Sequence, residues 1–143
     1  MINSKMFLLL SLLLITIHCT AQTTEKDPID VDYENCIGKD TSGSTISNCV
    51  YIAYGKWQSE LDKYYDRIMK KLVKPKDKSS FKQAENAWLA YRSAEFSAYD
   101  NMFNKPGGNW YVLRLNSRVN VIRERVQQLR DYYEALDEKS KEN

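Results

Sequence analysis

The chain has 143 residues, of which 43% are hydrophobic and 28% charged, and its formal net charge at pH 7 is +2. This length suits a single domain. A net charge so close to zero provides no field that would attract nucleic acid, so we do not expect a nucleic-acid ligand.

The N-terminal segment, residues 1–21, has the pattern of a secretory signal peptide. Lys5 supplies a positive charge ahead of an uncharged apolar run at residues 6–17, and Ala21 is a small residue at the expected cleavage point. The apolar run is shorter than the roughly 20 residues that cross a bilayer as a helix, which disfavours an uncleaved membrane anchor. We therefore expect an exported protein, periplasmic or extracellular, without a membrane span.

Lipid attachment at Cys19 is the alternative to a soluble exported form. It is disfavoured because Thr16 and His18 occupy positions where a lipoprotein signal prefers an aliphatic and a small residue. Cleavage after residue 21 also removes His18, which is the only histidine. The two remaining cysteines, Cys36 and Cys49, are an even pair, and in an exported protein we expect them to form one disulfide.

Three regions are predicted after the leader. Residues 22–32 are polar and are expected to be a flexible lead, residues 33–136 form the folded domain, and residues 137–143 are a polar tail. A short extra helix around residues 30–36 is an open alternative within the lead and the start of the domain.

The first long helix is predicted from an apolar stripe that steps by three or four residues, which is a helical period. The stripe consists of Ile46, Val50, Ala53, Trp57, Leu61, Tyr64, Ile68 and Leu72. The helix should end before Pro75, because the residue ahead of a proline is disfavoured in the α conformation. Residues 74–79 then form a basic linker.

The second helix is predicted to begin at Ser80, because Ser80-Phe-Lys-Gln83 has the form of a capping box. Its apolar stripe consists of Phe81, Ala84, Trp88, Tyr91, Ala94 and Ala98. The stripe ends near Phe103, and the proline and glycines of residues 106–109 predict a turn.

The third helix has a strict heptad pattern, with apolar residues at Leu115, Val119, Ile122, Val126, Leu129, Tyr133 and Leu136. The polar residues between them are expected to form a solvated face: Arg118, Arg123, Glu124, Arg125, Gln127, Gln128, Arg130 and Asp131. A bundle within one chain is favoured over a dimeric coiled coil, because two other amphipathic helices need a partner. We predict a monomeric all-α bundle of three long amphipathic helices with a disulfide-tied N-terminal segment.

No catalytic, metal or cofactor motif is found in the sequence. A mature chain without histidine lacks Ser-His-Asp and Cys-His sites and histidine-ligated zinc, and the glycine-rich nucleotide loops are absent. Paired carboxylates could hydrolyse a glycoside, but most of the glutamates on predicted helices are expected to be exposed partners of Lys or Arg. These glutamates are Glu60, Glu85, Glu95 and Glu124. We expect neither enzyme activity nor a cofactor nor a metal.

Two clusters are candidates for binding, and each has a structural interpretation that we favour. The lysines around the first interhelical linker are expected to be a solvated helix end rather than a site for an acidic partner or an anionic lipid head group. They are Lys70, Lys71, Lys74, Lys76 and Lys78. Trp88 and Tyr91 share a helical face with Glu95, and Arg92 beside them is placed to pair with Glu95. A buried aromatic pair covered by Arg92 is favoured over a partner surface.

Four motifs occur in order along the chain. They are the pair Cys36 and Cys49; a segment with Trp57, Leu61, Asp62 and Tyr64; the run Gln83-x₄-Trp88-x₂-Tyr91-Arg92; and Gly107-Gly108 followed by Arg125. In this order and spacing they resemble the LprI-like lysozyme inhibitor family of exported bacterial proteins, over roughly residues 33–134. Where that family often has a further cysteine after its Tyr-Arg pair, this chain has Phe96.

The resemblance implies a non-enzymatic all-α envelope domain that binds a protein partner, with lysozyme inhibition as the leading function. The alternative is a structural, accessory or immunity-type envelope protein that binds another exported partner. The motif residues are expected to be mainly structural. The candidate protrusions are residues 38–43, 74–79 and 106–110, and the candidate partner contacts are Lys76, Asn109 and Trp110.

Overall fold

The computed structural model describes residues 25–141, so the expected leader and Cys19 lie outside the described residues. Within that range the chain forms four helices and no strand: α1 (Pro28–Ile37), α2 (Gly43–Lys71), α3 (Pro75–Met102) and α4 (Gly108–Lys141). The all-α class is confirmed. None of the described helices is long and apolar enough to cross a membrane.

Helix α1 is the element that the three-helix prediction omitted. The Asp27 side chain caps it by accepting a hydrogen bond from the Ile29 N–H at 2.9 Å, and Pro28 suits the first helical position because its φ is already fixed. The helix therefore begins inside the expected flexible lead and includes the alternative short helix at residues 30–36. None of its residues is fully buried, which explains why apolar periodicity did not identify it.

The Cys36–Cys49 disulfide joins the end of α1 to the start of α2, with a Cα–Cα distance of 5.8 Å. This confirms the expected pairing. Cys49 is 1% exposed, so the bridge anchors α1 to a residue of the core.

Removal of this bridge is expected to lower the free energy of unfolding by about 3 kcal/mol, because the unfolded chain loses a constraint on a short loop. The test is urea unfolding, followed by circular dichroism, of a Cys36→Ala/Cys49→Ala double variant. Wild-type protein unfolded in a reducing agent is the control and should show the same loss. Equal stability of the oxidised and reduced wild-type protein would contradict the prediction.

Helices α2 and α4 form the central packed pair. They run in the same direction, because α3 returns the chain from one end of the bundle to the other, and Tyr64 meets Tyr133 with ring centroids 5.9 Å apart. The core residues come from the two predicted stripes: Val50, Trp57, Leu61, Ile68, Leu115, Val119, Ile122, Val126 and Leu129. The apolar periods of these two helices were therefore interpreted correctly.

The predicted start of α3 is wrong. The helix begins at Pro75, with Lys74 at its N-cap and no side-chain cap hydrogen bond, because proline is well suited to the first helical position. Ser80-Phe-Lys-Gln83 lies inside the helix and is not a capping box. Most of the expected linker and protrusion at residues 74–79 is therefore helical, whereas the end of α3 near Phe103 is confirmed.

The predicted apolar face of α3 is also wrong in part. Ala84, Tyr91 and Ala94 are exposed, and the one fully buried residue of the helix is Glu85. Phe81 and Trp88 do pack against the core as partly buried side chains. The helix is thus rotated relative to the predicted stripe, so that a carboxylate faces α4.

Helix α4 extends beyond both ends of the predicted heptad pattern, which runs from Leu115 to Leu136. The helix begins at Gly108, inside the turn predicted at residues 106–109, and extends to Lys141. The expected polar tail at residues 137–143 is thus helical as far as the structure describes it.

Candidate interaction surface

The arginines of α4 connect it to the other three helices, so the prediction of a solvated face is wrong for them. Arg125 is 6% exposed, and both its Nε and Nη2 donate to one oxygen of Glu85, at 3.2 and 2.7 Å. Glu85, at 8% exposure, is an exception to the expectation that most of the helical glutamates are exposed. The other pairs are Arg118 with Asp100 of α3, Arg123 with Asp30 of α1, and Arg130 with Asp27 and Glu60. Buried carboxylates and guanidiniums are stable only when they are paired in this way.

The Trp57 indole supports two of these arginines. It is fully buried, and the guanidinium carbons of Arg123 and Arg130 lie 5.6 and 5.5 Å from its ring centroid. Burial alone would lower the pKa of Arg130, but hydrogen bonds to Asp27 and Glu60 outweigh it and raise that pKa. Trp57 and these ion pairs position α1 against the α2–α4 pair.

The Trp88 motif lies in a shallow groove of about 350 Å³ between α3 and α4. The guanidiniums of Arg92 and Arg125 lie 5.2 and 5.6 Å from the Trp88 ring centroid. Arg92 donates to Gln58 of α2 at 3.4 Å rather than forming the expected pair with Glu95. Tyr91 is 50% exposed, so the buried aromatic pair predicted at this position is not formed.

The other motif residues are divided between core and surface. Leu61 is buried and Tyr64 packs on the core, whereas Asp62 accepts a hydrogen bond from Gln58 at 3.1 Å on the surface. Gln83 is exposed. The structure thus brings Trp88, Arg92 and Arg125 together, and leaves the other motif residues dispersed along the bundle.

Two interhelical loops lie at the same end of the bundle, because α2 and α4 both begin there. They are residues 38–42, between α1 and α2, and residues 103–107, between α3 and α4. We call this end, comprising the two loops together with the exposed tyrosines Tyr51 and Tyr111, the loop face. At the opposite end, the interhelical connection within the described residues is the short link at residues 72–74.

The first loop is ordered by Asp40. Its carboxylate accepts hydrogen bonds from Thr45 Oγ1 at 2.5 Å and from the Ser42 N–H at 2.8 Å. The bond from Thr45, followed by those from Ser42, lowers the pKa of Asp40 below its ordinary value. The order that Asp40 provides is therefore complete above its ordinary pKa and is lost as the pH falls through the lowered value.

The second loop is held by aromatic stacking and by one arginine. Phe103 stacks on Trp110 with centroids 6.0 Å apart, and Lys105 Nζ lies 4.8 Å from the centroid of Trp110. Arg114 Nη1 donates to the Phe103 carbonyl at 2.6 Å. Gly107 has a φ of +116°, which a residue with a Cβ rarely adopts, so the motif glycine is explained by the turn.

A groove of about 460 Å³ lies beside this second loop. Tyr51 is 63% exposed and Tyr111 46% exposed along its rim. Asp100 lies in this groove and forms ion pairs with two arginines. Its carboxylate oxygens lie 2.5 Å from Arg118 Nη2 and 3.7 Å from Arg114 Nε. The two guanidinium groups share one carboxylate, so the cluster carries one positive charge in excess.

The predicted partner contacts fall at opposite ends of the molecule. Asn109 and Trp110 lie in the first turn of α4, next to the loop face, and Trp110 is half-buried. Lys76 lies in the first turn of α3, about 40 Å away at the rise of a helix of this length. A single small contact cannot include both ends. Among residues 25–141, no group of three or more His, Cys, Asp or Glu is arranged to hold a metal ion.

Comparison with known proteins places this architecture in a family. The profile of the family described as lysozyme inhibitor LprI matches residues 36–129. A crystal structure of an uncharacterised protein from Burkholderia thailandensis is similar, with a TM-score of 0.71 and 24% identity over 80% of this chain, which supports the fold. The present chain covers 58% of the length of that protein. No curated protein matches the chain.

Proposed function

The chain belongs to the LprI lysozyme inhibitor family, and we propose that it is an exported, non-enzymatic protein that inhibits a lysozyme by binding to it. The family match carries the proposal. It begins at Cys36 and ends at residue 129, so it includes the disulfide, all of α2 and α3, and most of α4.

Two observations support export. A disulfide persists in an oxidising compartment rather than in the cytosol, and Cys36 is joined to Cys49. The segment at residues 1–21 has the sequence of a cleavable leader. We propose a soluble periplasmic or extracellular form in preference to lipid attachment at Cys19.

The environment of the glutamates favours binding over glycan hydrolysis. A glycosidase needs one carboxyl group with a raised pKa as its general acid. Burial tends to raise the pKa of Glu60, but hydrogen bonds from Lys63 and Arg130 lower it overall. Glu85 forms an ion pair with Arg125 inside the bundle. Its role there is structural, because it neutralises a buried charge and orients α3.

Purified protein is expected to protect a peptidoglycan suspension from lysis by at least one of the c-type, g-type and i-type lysozymes. Protection should rise with dose and saturate near one inhibitor per enzyme, because a specific inhibitor forms a stoichiometric complex. The measurement is turbidity loss with the protein expressed as the full chain. Reduced and alkylated protein is the control, since it keeps the composition and loses the disulfide.

Absence of protection against all three classes would contradict the inhibitor proposal. The alternative is then an immunity-type or accessory envelope protein that binds another exported partner. Release of soluble glycan fragments by the protein alone, at any pH between about 4 and 8, would contradict the non-enzymatic assignment, because that interval includes the working range of carboxylate-based hydrolases.

A further inference from the structure

We infer that the loop face is the surface that contacts the lysozyme, with Lys105 directed at the carboxylate-lined cleft and with Tyr51 and Tyr111 packing on its walls. This inference rests on the proposed function and adds to it the contact surface and its chemistry. The family match does not identify a contact residue, so the choice of this surface is argued from the structure alone.

The shape of the bundle favours this end. An inhibitor that enters a cleft needs a segment other than a flat helix surface, and the loop face has two interhelical loops, at residues 38–42 and 103–107. The link at the opposite end is confined to residues 72–74, because α3 begins directly at Pro75. The sides of the bundle are helix surfaces, and they include a groove of about 500 Å³ between α1 and α2.

The exposed side chains at this end are of the kind that dominate protein interfaces. Tyrosine and arginine are enriched among the residues whose truncation weakens binding most. Tyr51 and Tyr111 are 63% and 46% exposed, and each belongs to a helix, so a partner would gain contact area without ordering a flexible segment. Arg114 and Arg118 lie between them in the same groove.

The charge of this end complements the cleft of a lysozyme. Glycoside hydrolysis uses two carboxyl groups that flank the substrate-binding cleft, and one of them stays ionised. Asp100 is shared by Arg114 and Arg118, which leaves a positive excess. Lys105 is exposed, and among residues 25–141 it makes no ion pair with a carboxylate.

The second loop is organised before any partner binds. Phe103 is fixed by its stacking on Trp110 and by the hydrogen bond from Arg114 to its carbonyl. Lys105 lies over the Trp110 ring, and this cation–π contact restricts the position of its ammonium group before a partner binds. A rigid projecting loop loses little conformational entropy on binding, which favours affinity.

The test compares inhibition by the full-chain protein and three variants, using the lysozyme class that the wild-type protein inhibits. Lys105→Glu reverses the charge at the loop, and Tyr111→Ala removes an aromatic contact. Each is expected to raise the concentration that gives half-maximal protection by about tenfold or more. Lys76→Glu makes the same charge reversal at the opposite end and should change that concentration by less than about twofold.

Each variant is first compared with the wild-type protein by circular dichroism and thermal unfolding. If Tyr111→Ala alters folding, Lys105→Glu decides the result, since Lys105 lies in an exposed loop. Wild-type inhibition that persists in both loop-face variants would overturn this inference and leave the proposed function intact. Failure of the wild-type protein with every lysozyme would overturn both. Sedimentation of the wild-type protein, but not of the loop-face variants, with lysozyme-free peptidoglycan would assign the surface to the glycan and overturn the inference.

Discussion

Glu85→Ala is expected to lower the free energy of unfolding by about 3–5 kcal/mol, because it leaves the guanidinium of Arg125 buried without a counter-charge. The side chains of Arg125 and Glu85 are 6% and 10% exposed, so water cannot replace the lost carboxylate. Glu85 is also the only fully buried residue of α3. Its loss should therefore loosen α3 more than the other helices. Urea unfolding followed by circular dichroism measures the change.

A double variant separates the cost of an unpaired charge from the value of the pair. Glu85→Leu/Arg125→Met replaces both charges by apolar side chains and is expected to recover most of the stability lost in Glu85→Ala, because apolar replacement of a buried ion pair is often neutral or stabilising. If the double variant is as unstable as Glu85→Ala, packing volume rather than charge explains the loss. Hydrogen exchange of the α3 amides would then show whether α3 has separated from α4.

The same pair shows where sequence reasoning succeeds and where it fails. The stripes of α2 and α4 were interpreted correctly because those helices bury continuous apolar rows, and the helical period then identifies the face. Helix α3 buries a glutamate and leaves three apolar positions of its predicted stripe exposed. A rule that assigns apolar residues to the core selects the wrong face of such a helix.

The sequence around Arg125 contains only a weak indication that this arginine is buried. Arg125 occurs between two heptad residues, where a charged side chain is usually solvated. Its partner is 40 positions away in the chain, and no local pattern connects them. One indication was available: Arg125 is among the motif residues of the family resemblance, and an arginine at a motif position beside a core stripe is a candidate for a buried pair.

The loop face was predicted only in part. The turn at residues 106–109 and the placement of Trp110 beside the helix start follow from proline, glycine and the adjacent apolar pattern. Tyr51 and Arg114 were missed because each lies one position from a stripe residue and looks like part of a solvated helix. Tyr111 was missed because it lies between the predicted turn and Leu115, the first residue of the third stripe. Their proximity depends on the parallel arrangement of α2 and α4, which requires the topology of the whole bundle.

Trp57→Ala is expected to lower the free energy of unfolding by about 3–5 kcal/mol, the usual cost of truncating a fully buried aromatic side chain. The indole is 0% exposed, and it also supports Arg123 and Arg130, which pair with Asp30 and Asp27 around α1. The variant should therefore weaken the attachment of α1 as well as the core. Thermal unfolding and urea unfolding both report the change.

Two tryptophan variants serve as matched controls for this prediction. Trp57→Phe keeps an aromatic ring and removes an indole N–H that reaches no acceptor among the described residues, so it should cost only about 1–2 kcal/mol. Trp88→Ala removes the other motif tryptophan, which is only partly buried, and its cost should also be about 1–2 kcal/mol. A loss for Trp88→Ala equal to that for Trp57→Ala would show that the α3–α4 groove contributes as much to stability as the α2–α4 core. The α2–α4 contacts would then not be the main contribution to the free energy of unfolding, which contradicts the assignment of α2 and α4 as the central pair.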